Sequence, residues 1–396
     1  MSNRKRDRWD SSSDEEGAGG CVPVLAKRKA SAKEGHVVAL MPAEGVAQPT
    51  TAAESGAMKS ELSPGISRLP KHNPLLSGCR SVYSCYERLA RLDEGTYGVV
   101  WKARDTATDD TVALKQIKFD QAMMKEGFPI TALREISVLL DLSHDCIVTV
   151  REMVVGDAAD KVFMVMEFME MDLQEAIKRS GQSPFPQSEL KNMMFQVLSA
   201  MDHIHEKWYV HRDMKTSNIL VHRSGKIALC DFGLARKYQM PLKALTQMVI
   251  TLWYRPPELL FGEHMYGPEV DMWSVGCIFG ELLKKDAMLQ GRGELDQVDK
   301  IFKLIGTPDE ESWPGFLSLP NARTFRWKPR EGSQLSKEFP VNTFTGGQTY
   351  LDSNGLDLLT KLLTLSPRSR ISASAALDHP YFKEGVGRQT PRFAFD

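Results

Sequence analysis

The run His211-Arg212-Asp213-Met214-Lys215-Thr216-Ser217-Asn218, answered by Asp231-Phe232-Gly233, constrains this chain more than any other feature. An acid, a lysine and an asparagine share one short loop. A second acid follows the alternating run Lys226-Ile227-Ala228-Leu229-Cys230, which has the period of a strand. Phosphoryl transfer asks a protein mainly to position groups and neutralise charge. On that logic Asp213 accepts the proton of an attacking hydroxyl, and Lys215 lies against the transferred group. Asn218 and Asp231 supply the oxygen ligands that Mg²⁺ prefers. Any one of these residues alone would be an ordinary surface polar group; the whole set at this spacing would not.

Composition bounds the fold around that loop. With 396 residues, 42% of them hydrophobic and 26% charged, the chain has room for two or three domains and a sizeable core. A net charge of −1 argues against wholesale nucleic-acid binding, and no direct nucleic-acid contact is expected of the folded part. The six cysteines (Cys21, Cys79, Cys85, Cys146, Cys230, Cys277) are scattered, which reads as free thiols in a reducing compartment. The N-terminus lacks the apolar core of a signal peptide, and no apolar run approaches the roughly 18 residues that span a bilayer. A soluble, intracellular protein without a membrane partner is expected.

Residues 1–78 read as a disordered arm, rich in Ala, Gly, Ser, Pro and charge and too poor in apolar groups to offset ordering entropy. Its basic clusters, Arg4-Lys5-Arg6-Asp7-Arg8 and Lys27-Arg28-Lys29, are either solvated charge or a nuclear import signal. Residues 79–168 read as a small β-rich lobe, with strands over Leu89–Leu92, Val99–Ala103, Thr111–Ile117, Val148–Val155 and Lys161–Glu167. One helix opens at Pro129, and Leu133, Ile136, Leu139 and Leu142 are expected along its buried face. Residues 169–382 read as a mainly helical lobe. There the stripe Leu190, Met193, Met194, Val197, Leu198, Met201, Ile204 belongs to the core, and Asp271–Leu283 is a buried central helix. Helices over Asp357–Leu365 and Ala373–Leu377 close the lobe. The Pro/Gly-rich stretch 314–354 is expected as a surface insert, and 383–396 as a tail. The fold class is α+β, in two lobes.

Glycines in a strand-turn-strand context let backbone approach a phosphate. Leu92, Glu94, Gly95, Thr96, Tyr97, Gly98 and Val100 are therefore candidate nucleotide contacts. Asp93 replaces the first glycine of the usual G-x-G-x-x-G and is expected to face solvent. A dinucleotide-binding fingerprint would open a helix, whereas this turn enters a second strand. In Val112-Ala113-Leu114-Lys115, Ala113 and Lys115 share a face: a flat roof for adenine and a cation for the α/β-phosphates. Glu135 is the candidate anion for Lys115. Met166-Glu167-Phe168-Met169 would link the lobes and offer backbone hydrogen bonds to adenine, with Asp172 and Leu220 completing the cleft.

These words resemble a eukaryotic protein kinase. Pro129-Ile130-Thr131-Ala132-Leu133-Arg134-Glu135 is similar to the cyclin-contacting helix of the cyclin-dependent kinases, and Thr251-Leu252-Trp253-Tyr254-Arg255 to the end of their activation segment. More narrowly, Gly78–Val82, Lys125–Glu135, Val148–Gly156, Lys215–Asn218 and Pro241–Ala244 resemble the PITSLRE-type branch, although Ala132 stands where that branch has Ser. The likeness covers roughly residues 78–382. It implies a bilobal kinase fold, ATP with Mg²⁺, an L-type cyclin partner, and a role in transcription, pre-mRNA splicing or cell-cycle control in the nucleus, with the cytoplasm as a second location. By the same resemblance Thr246 is an activating phosphothreonine received by Arg134, Arg212 and Arg236, while Thr96 and Tyr97 match inhibitory phosphorylation positions. Val249, Ile250 and Arg255 match the pocket for a proline after the phosphoacceptor, implying Ser/Thr-Pro protein substrates. Glu258 is expected to pair with Arg370, and Cys230 to be a small core residue, with a site-facing thiol as the alternative. The rival functions are a pseudokinase scaffold, to which only Asp93 points, and a nucleic-acid-binding protein, to which only the basic arm points.

Overall fold

The computed structural model describes residues 78–95, 98–119, 128–158, 160–181, 183–341 and 351–395. The expected arm, Gly78 apart, therefore lies outside the described residues, as do Thr96, Tyr97 and the side chains of Asp93, Glu94 and Gly95. The first lobe is built on a six-stranded sheet in the order β1-β5-β6-β4-β3-β2. Its members are β1 (Arg80–Ser81), β2 (Tyr86–Gly95), β3 (Gly98–Asp105), β4 (Thr111–Ile117), β5 (Val150–Val155) and β6 (Val162–Glu167). A one-turn helix, α1 (Val82–Cys85), joins the first two. All pairings are antiparallel except the edge strand β1, which runs parallel to β5 and which the alternation alone did not mark. Arg80 holds that edge, its Nε donating to Glu152 Oε2 at 3.1 Å.

Helix α2 (Ile130–Asp141) starts one residue after Pro129, which sits at its N-cap. Its buried face is Ala132, Glu135, Val138 and Leu139, and Leu133 is exposed, contrary to expectation. A spacing of three lags the 3.6-residue turn by about 60° at each step, so the four apolar positions cannot share one face. Ile130, Leu133 and Leu140 form an apolar side turned away from the lobe.

The second lobe begins with β7 (Met171–Asp172), α3 (Leu173–Arg179) and α4 (Gln187–Glu206). The α4 stripe is entirely core: Leu190, Met193, Met194, Val197, Leu198, Met201 and Ile204 are all 0% exposed. Short strands β8 (Tyr209–Val210), β9 (Ile219–Val221), β10 (Ile227–Leu229) and β11 (Arg236–Lys237) carry the catalytic loop and its sequel, with β9 paired to both β7 and β10. Then come α5 (Pro257–Leu260), α6 (Glu269–Lys284), α7 (Glu294–Ile305), α8 (Leu335–Glu338), α9 (Ser353–Leu362), α10 (Ala373–Leu377) and α11 (Pro380–Lys383). Every residue of α6 from Val270 to Leu283 is buried, so it is the axle of the lobe. The 314–354 stretch is more than a surface insert. Phe316, Ala322, Leu335 and Phe339 are buried, and Phe316 and Trp327 close on Phe261 at 4.8 and 5.6 Å between ring centroids. Aromatic pairs in such geometry add about 0.5–1.5 kcal/mol each beyond their buried area, which is why a sequence without helical period still holds its place.

Candidate active site

A cleft of about 610 Å³ opens between the lobes. Its walls carry Leu92, Gly98, Val100, Ala113, Lys115, Glu135, Met166, Glu167, Met169, Asp172, Leu220, Lys215, Asn218 and Asp231. Every described residue expected to hold the nucleotide lines it except Glu94 and Gly95, of which only the strand backbone is described. Gly98 shows why the turn needs glycine: at φ 151° an added Cβ would lie 2.0 Å from the Gln116 carbonyl oxygen. Ala113 is 7% exposed, a flat apolar surface on the strand that also aims Lys115 inward. Lys115 Nζ meets Glu135 Oε1 at 2.6 Å. Burial alone would push this ammonium down, but Glu135 and then Asp231 outweigh it and hold it above its usual range. At the link between lobes, the Glu167 carboxylate is engaged by Thr149 N at 3.0 Å and Lys226 Nζ at 2.6 Å. Asp172 caps α3 by accepting from Glu175 N at 2.8 Å, and its burial raises its pKa.

Beneath this cleft the loop 211–218 is held from behind. Asp271, 0% exposed at the start of α6, accepts from the backbone N–H groups of His211 and Arg212, each at 2.9 Å, and from His205 Nε2 at 3.0 Å. Thr216 Oγ1 donates to Glu281 Oε1 at 2.9 Å, and Tyr254 donates its hydroxyl to Glu281 Oε2 at 2.7 Å. One buried carboxylate on α6 thus ties the catalytic loop to the segment that follows Ile250. Asp213 is fixed in turn: its Oδ2 accepts from Lys215 Nζ at 2.8 Å and Asn218 Nδ2 at 3.1 Å, its Oδ1 from Thr251 Oγ1 at 3.0 Å. Burial favours the neutral acid, yet Lys215 foremost, with His211 and Thr251, holds Asp213 below the usual carboxylate range. It is therefore ionised at neutral pH and able to take a proton.

Asn218 spends its Nδ2 on Asp213, which leaves its carbonyl oxygen as the group for a cation, and Asp231 adds a carboxylate at the same cleft. Among the described residues no group of three or more His, Cys, Asp or Glu side chains could hold a metal by itself. Two protein oxygens completed by water and phosphate suit Mg²⁺, which dehydrates reluctantly and is rarely caged by protein alone. Cys230 lines the cleft but is not a poised nucleophile: its Sγ lies 3.4 Å from the Asn218 carbonyl oxygen, and burial pushes the thiol up to about 12.

Thr246 is exposed and is linked through Tyr266 to Arg212. Its carbonyl accepts from the Tyr266 hydroxyl at 2.5 Å, and that hydroxyl accepts from Arg212 Nη1 at 3.0 Å. Arg212 is 1% exposed and also donates through Nε to the Leu234 carbonyl at 2.8 Å. Arg236 donates through Nη1 to the Leu234 and Ala235 carbonyls at 3.4 and 2.8 Å, so it shares the Leu234 carbonyl with Arg212, and it is lowered to about 10, by burial first and then by the like charges of Arg212 and Arg134. Farther along, Arg255 grips the carbonyls of Val249 and Ile250 at 3.0–3.2 Å. Ile250 adopts φ 64°, an uncommon conformation for a β-branched residue, held by its N–H bond to the Arg212 carbonyl at 3.1 Å. The expected anchor is present too: Arg370 takes Glu258 bidentately at 2.7 and 2.9 Å, both buried.

Sequence reasoning did not single out Asp271, Glu281, Thr251 or Tyr266 as site residues. The first two had a signal, because acids inside a helix apolar nearly all round need buried partners. Tyr266 and Thr251 had none, since their roles depend on chain segments remote in sequence.

Comparison with known proteins agrees with this geometry. The family profile for the protein kinase domain matches residues 86–382. Cyclin-dependent kinase G-2 of Oryza sativa subsp. indica is 48% identical over 310 residues, covering 78% of this chain and 43% of its own. Cyclin-dependent kinase 11B of Homo sapiens is 48% identical over 316 residues, 80% of this chain and 38% of its own. Cyclin-dependent kinase 11 of Dictyostelium discoideum is 46% identical over 318 residues, 80% of this chain and 84% of its own. The chain spans less than half the length of the first two. With Lys115 on Glu135, Asp213 held by Lys215 and Asn218, and Asp231 across the cleft, the chain belongs to the protein kinase family, in the branch of the cyclin-dependent kinases.

Proposed function

We propose that this chain is a cyclin-dependent protein Ser/Thr kinase that transfers the γ-phosphoryl group of ATP to Ser/Thr-Pro sites. The observation that carries the reading is the Asp213 carboxylate with Lys215, Asn218 and Thr251 fixed around it. An incoming hydroxyl would give its proton to Asp213, while Lys215 and Lys115 neutralise charge on the phosphoryl groups. Asn218 and Asp231 would hold Mg²⁺, which supplies charge neutralisation between the phosphates when bound. Arg255 turns the carbonyls of Val249 and Ile250 toward itself, and the buried side chains of these two residues leave an apolar floor. A proline has no N–H to satisfy and loses nothing there.

The exposed Ile130, Leu133 and Leu140 on α2 support docking of a cyclin against the helix that carries Glu135. The branch-level sequence words support an L-type cyclin and a nuclear role in transcription, pre-mRNA splicing or cell-cycle control. The test is turnover of a Ser-Pro peptide by chain co-purified with a cyclin, against a Ser-Ala control. Loss of turnover with Thr246 phosphorylated and cyclin bound would leave only a scaffold.

A further inference from the structure

After α11 the chain does not trail off. The Glu384 carbonyl accepts from Lys191 Nζ at 2.8 Å, Gln389 N donates to the Ser188 carbonyl at 3.0 Å, and Arg392 N to Glu189 Oε2 at 3.3 Å. Arg388 lies 3.6 Å over the Phe195 ring. The strap then crosses the turn between β9 and β10, where a Cβ on Gly225 would lie 2.3 Å from Thr390 Cγ2 and 2.8 Å from the Pro391 carbonyl oxygen. It reaches Phe395, whose ring is 5.7 Å from the Arg223 guanidinium; Arg223 in turn pairs with Glu170, beside the link between lobes, at 3.4 Å.

Two features of this strap go beyond what packing asks of it. Thr390-Pro391 is a Thr-Pro dipeptide whose threonine is exposed while its proline is buried. Around it a cavity of about 660 Å³ is lined by Arg223, Arg388 and Arg392 together with Thr390 itself. Among the described residues Glu170 offsets one of these charges, that of Arg223. We propose that Thr390 is a proline-directed phosphorylation site, modified in trans by another copy of this kinase, and that Arg223, Arg388 and Arg392 receive its phosphate and clamp the strap. The inference rests on the proline-directed activity proposed above. In the transfer, Thr390 Oγ1 bonds to the γ-phosphorus as the bond to the β–γ bridging oxygen breaks. ADP leaves, and the hydroxyl proton passes to Asp213 of the copy acting as enzyme. Because Pro391 is buried when the strap is seated, the acceptor is the lifted tail; the dianion then draws it back onto the arginines.

The test uses full chain with bound cyclin and Mg-ATP, an Asp213→Asn full chain as acceptor, and a Ser-Pro peptide in the same reaction. Expected are peptide turnover, phosphate on Thr390 of the acceptor, and amide exchange at Gln389 and Arg392 slowed about tenfold. Peptide turnover with Thr390 bare overturns the site and leaves the kinase reading standing. A peptide left unmodified overturns the kinase reading and the site with it. Unchanged or faster exchange after modification overturns the clamp, as does slowing that persists in an Arg388→Ala, Arg392→Ala double variant.

Discussion

The catalytic loop and the activation segment stand side by side and are held in opposite ways. From His211 to Asn218 the chain is buried or half-buried, and its backbone and Thr216 end on buried carboxylates of α6. From Gln239 to Met248 it is mostly exposed, and its ties gather on residues 245–247: Leu245 N to the His264 carbonyl at 2.9 Å, the Thr246 carbonyl to Tyr266, and the Gln247 amide to the Gly262 carbonyl and His264. The first region is complete without any added group, because desolvated acceptors penalise every other conformation. The second lies near Arg212, Arg236 and Arg134, and Arg236 is lowered to about 10 by burial first and then by the like charges of the other two. An anion would turn that repulsion into attraction. The loop is held by packing, and the segment is left open to charge.

The contrast can be broken first at the loop. Asp213→Asn should keep fold and nucleotide affinity yet lower kcat by about 10²–10⁴-fold, the usual worth of a positioned base. A near-normal rate would refute the role. Asp271→Ala should act through stability instead. It strands the N–H groups of His211 and Arg212, so unfolding free energy should fall by about 2–5 kcal/mol in denaturant titration. If stability is unchanged, the loop is not held from α6.

The two regions were unequally legible in the sequence. Lys115, Glu135, Asp213, Asn218 and Asp231 could be found because their chemistry demands fixed residue types at fixed spacing. The core stripe of α4 followed from period alone. The Leu133 face failed because period three was mistaken for period 3.6, and Phe316 and Trp327 because aromatic packing across 55 or more residues leaves no local pattern. Tyr266 links Arg212 to Thr246 only after folding has brought α6's approach beneath the activation segment.

The segment is the next place to press. If Thr246 carries the phosphate that the resemblance implies, Thr246→Ala removes a dianion, and at about 1.5–3 kcal/mol for each hydrogen bond to a charged group the activity with the proposed cyclin bound should drop about tenfold or more. Proteolysis within 237–250 should speed up in parallel. A variant as active and as resistant as the phosphorylated parent would mean that the three arginines need no anion, and that the segment is as self-sufficient as the loop.

The smallest effect is expected where the two regions meet. Cys230 N donates to the Asn218 carbonyl at 3.0 Å, so the residue before Asp231 is tied to the catalytic loop rather than to the segment. Its thiol, pushed up to about 12 by burial and by the charge of Asp231, would be about one part in 10⁴ thiolate at pH 8. Iodoacetamide at that pH should therefore leave Cys230 unlabelled over hours in the native chain and label it within minutes after unfolding, read by peptide mass mapping. Phosphorylation of Thr246 should not alter the native result, because the loop's packing does not depend on the anion. Native labelling at the pace of a free thiol would place Cys230 with the conditional segment and make it the site-facing nucleophile that the sequence alone left open.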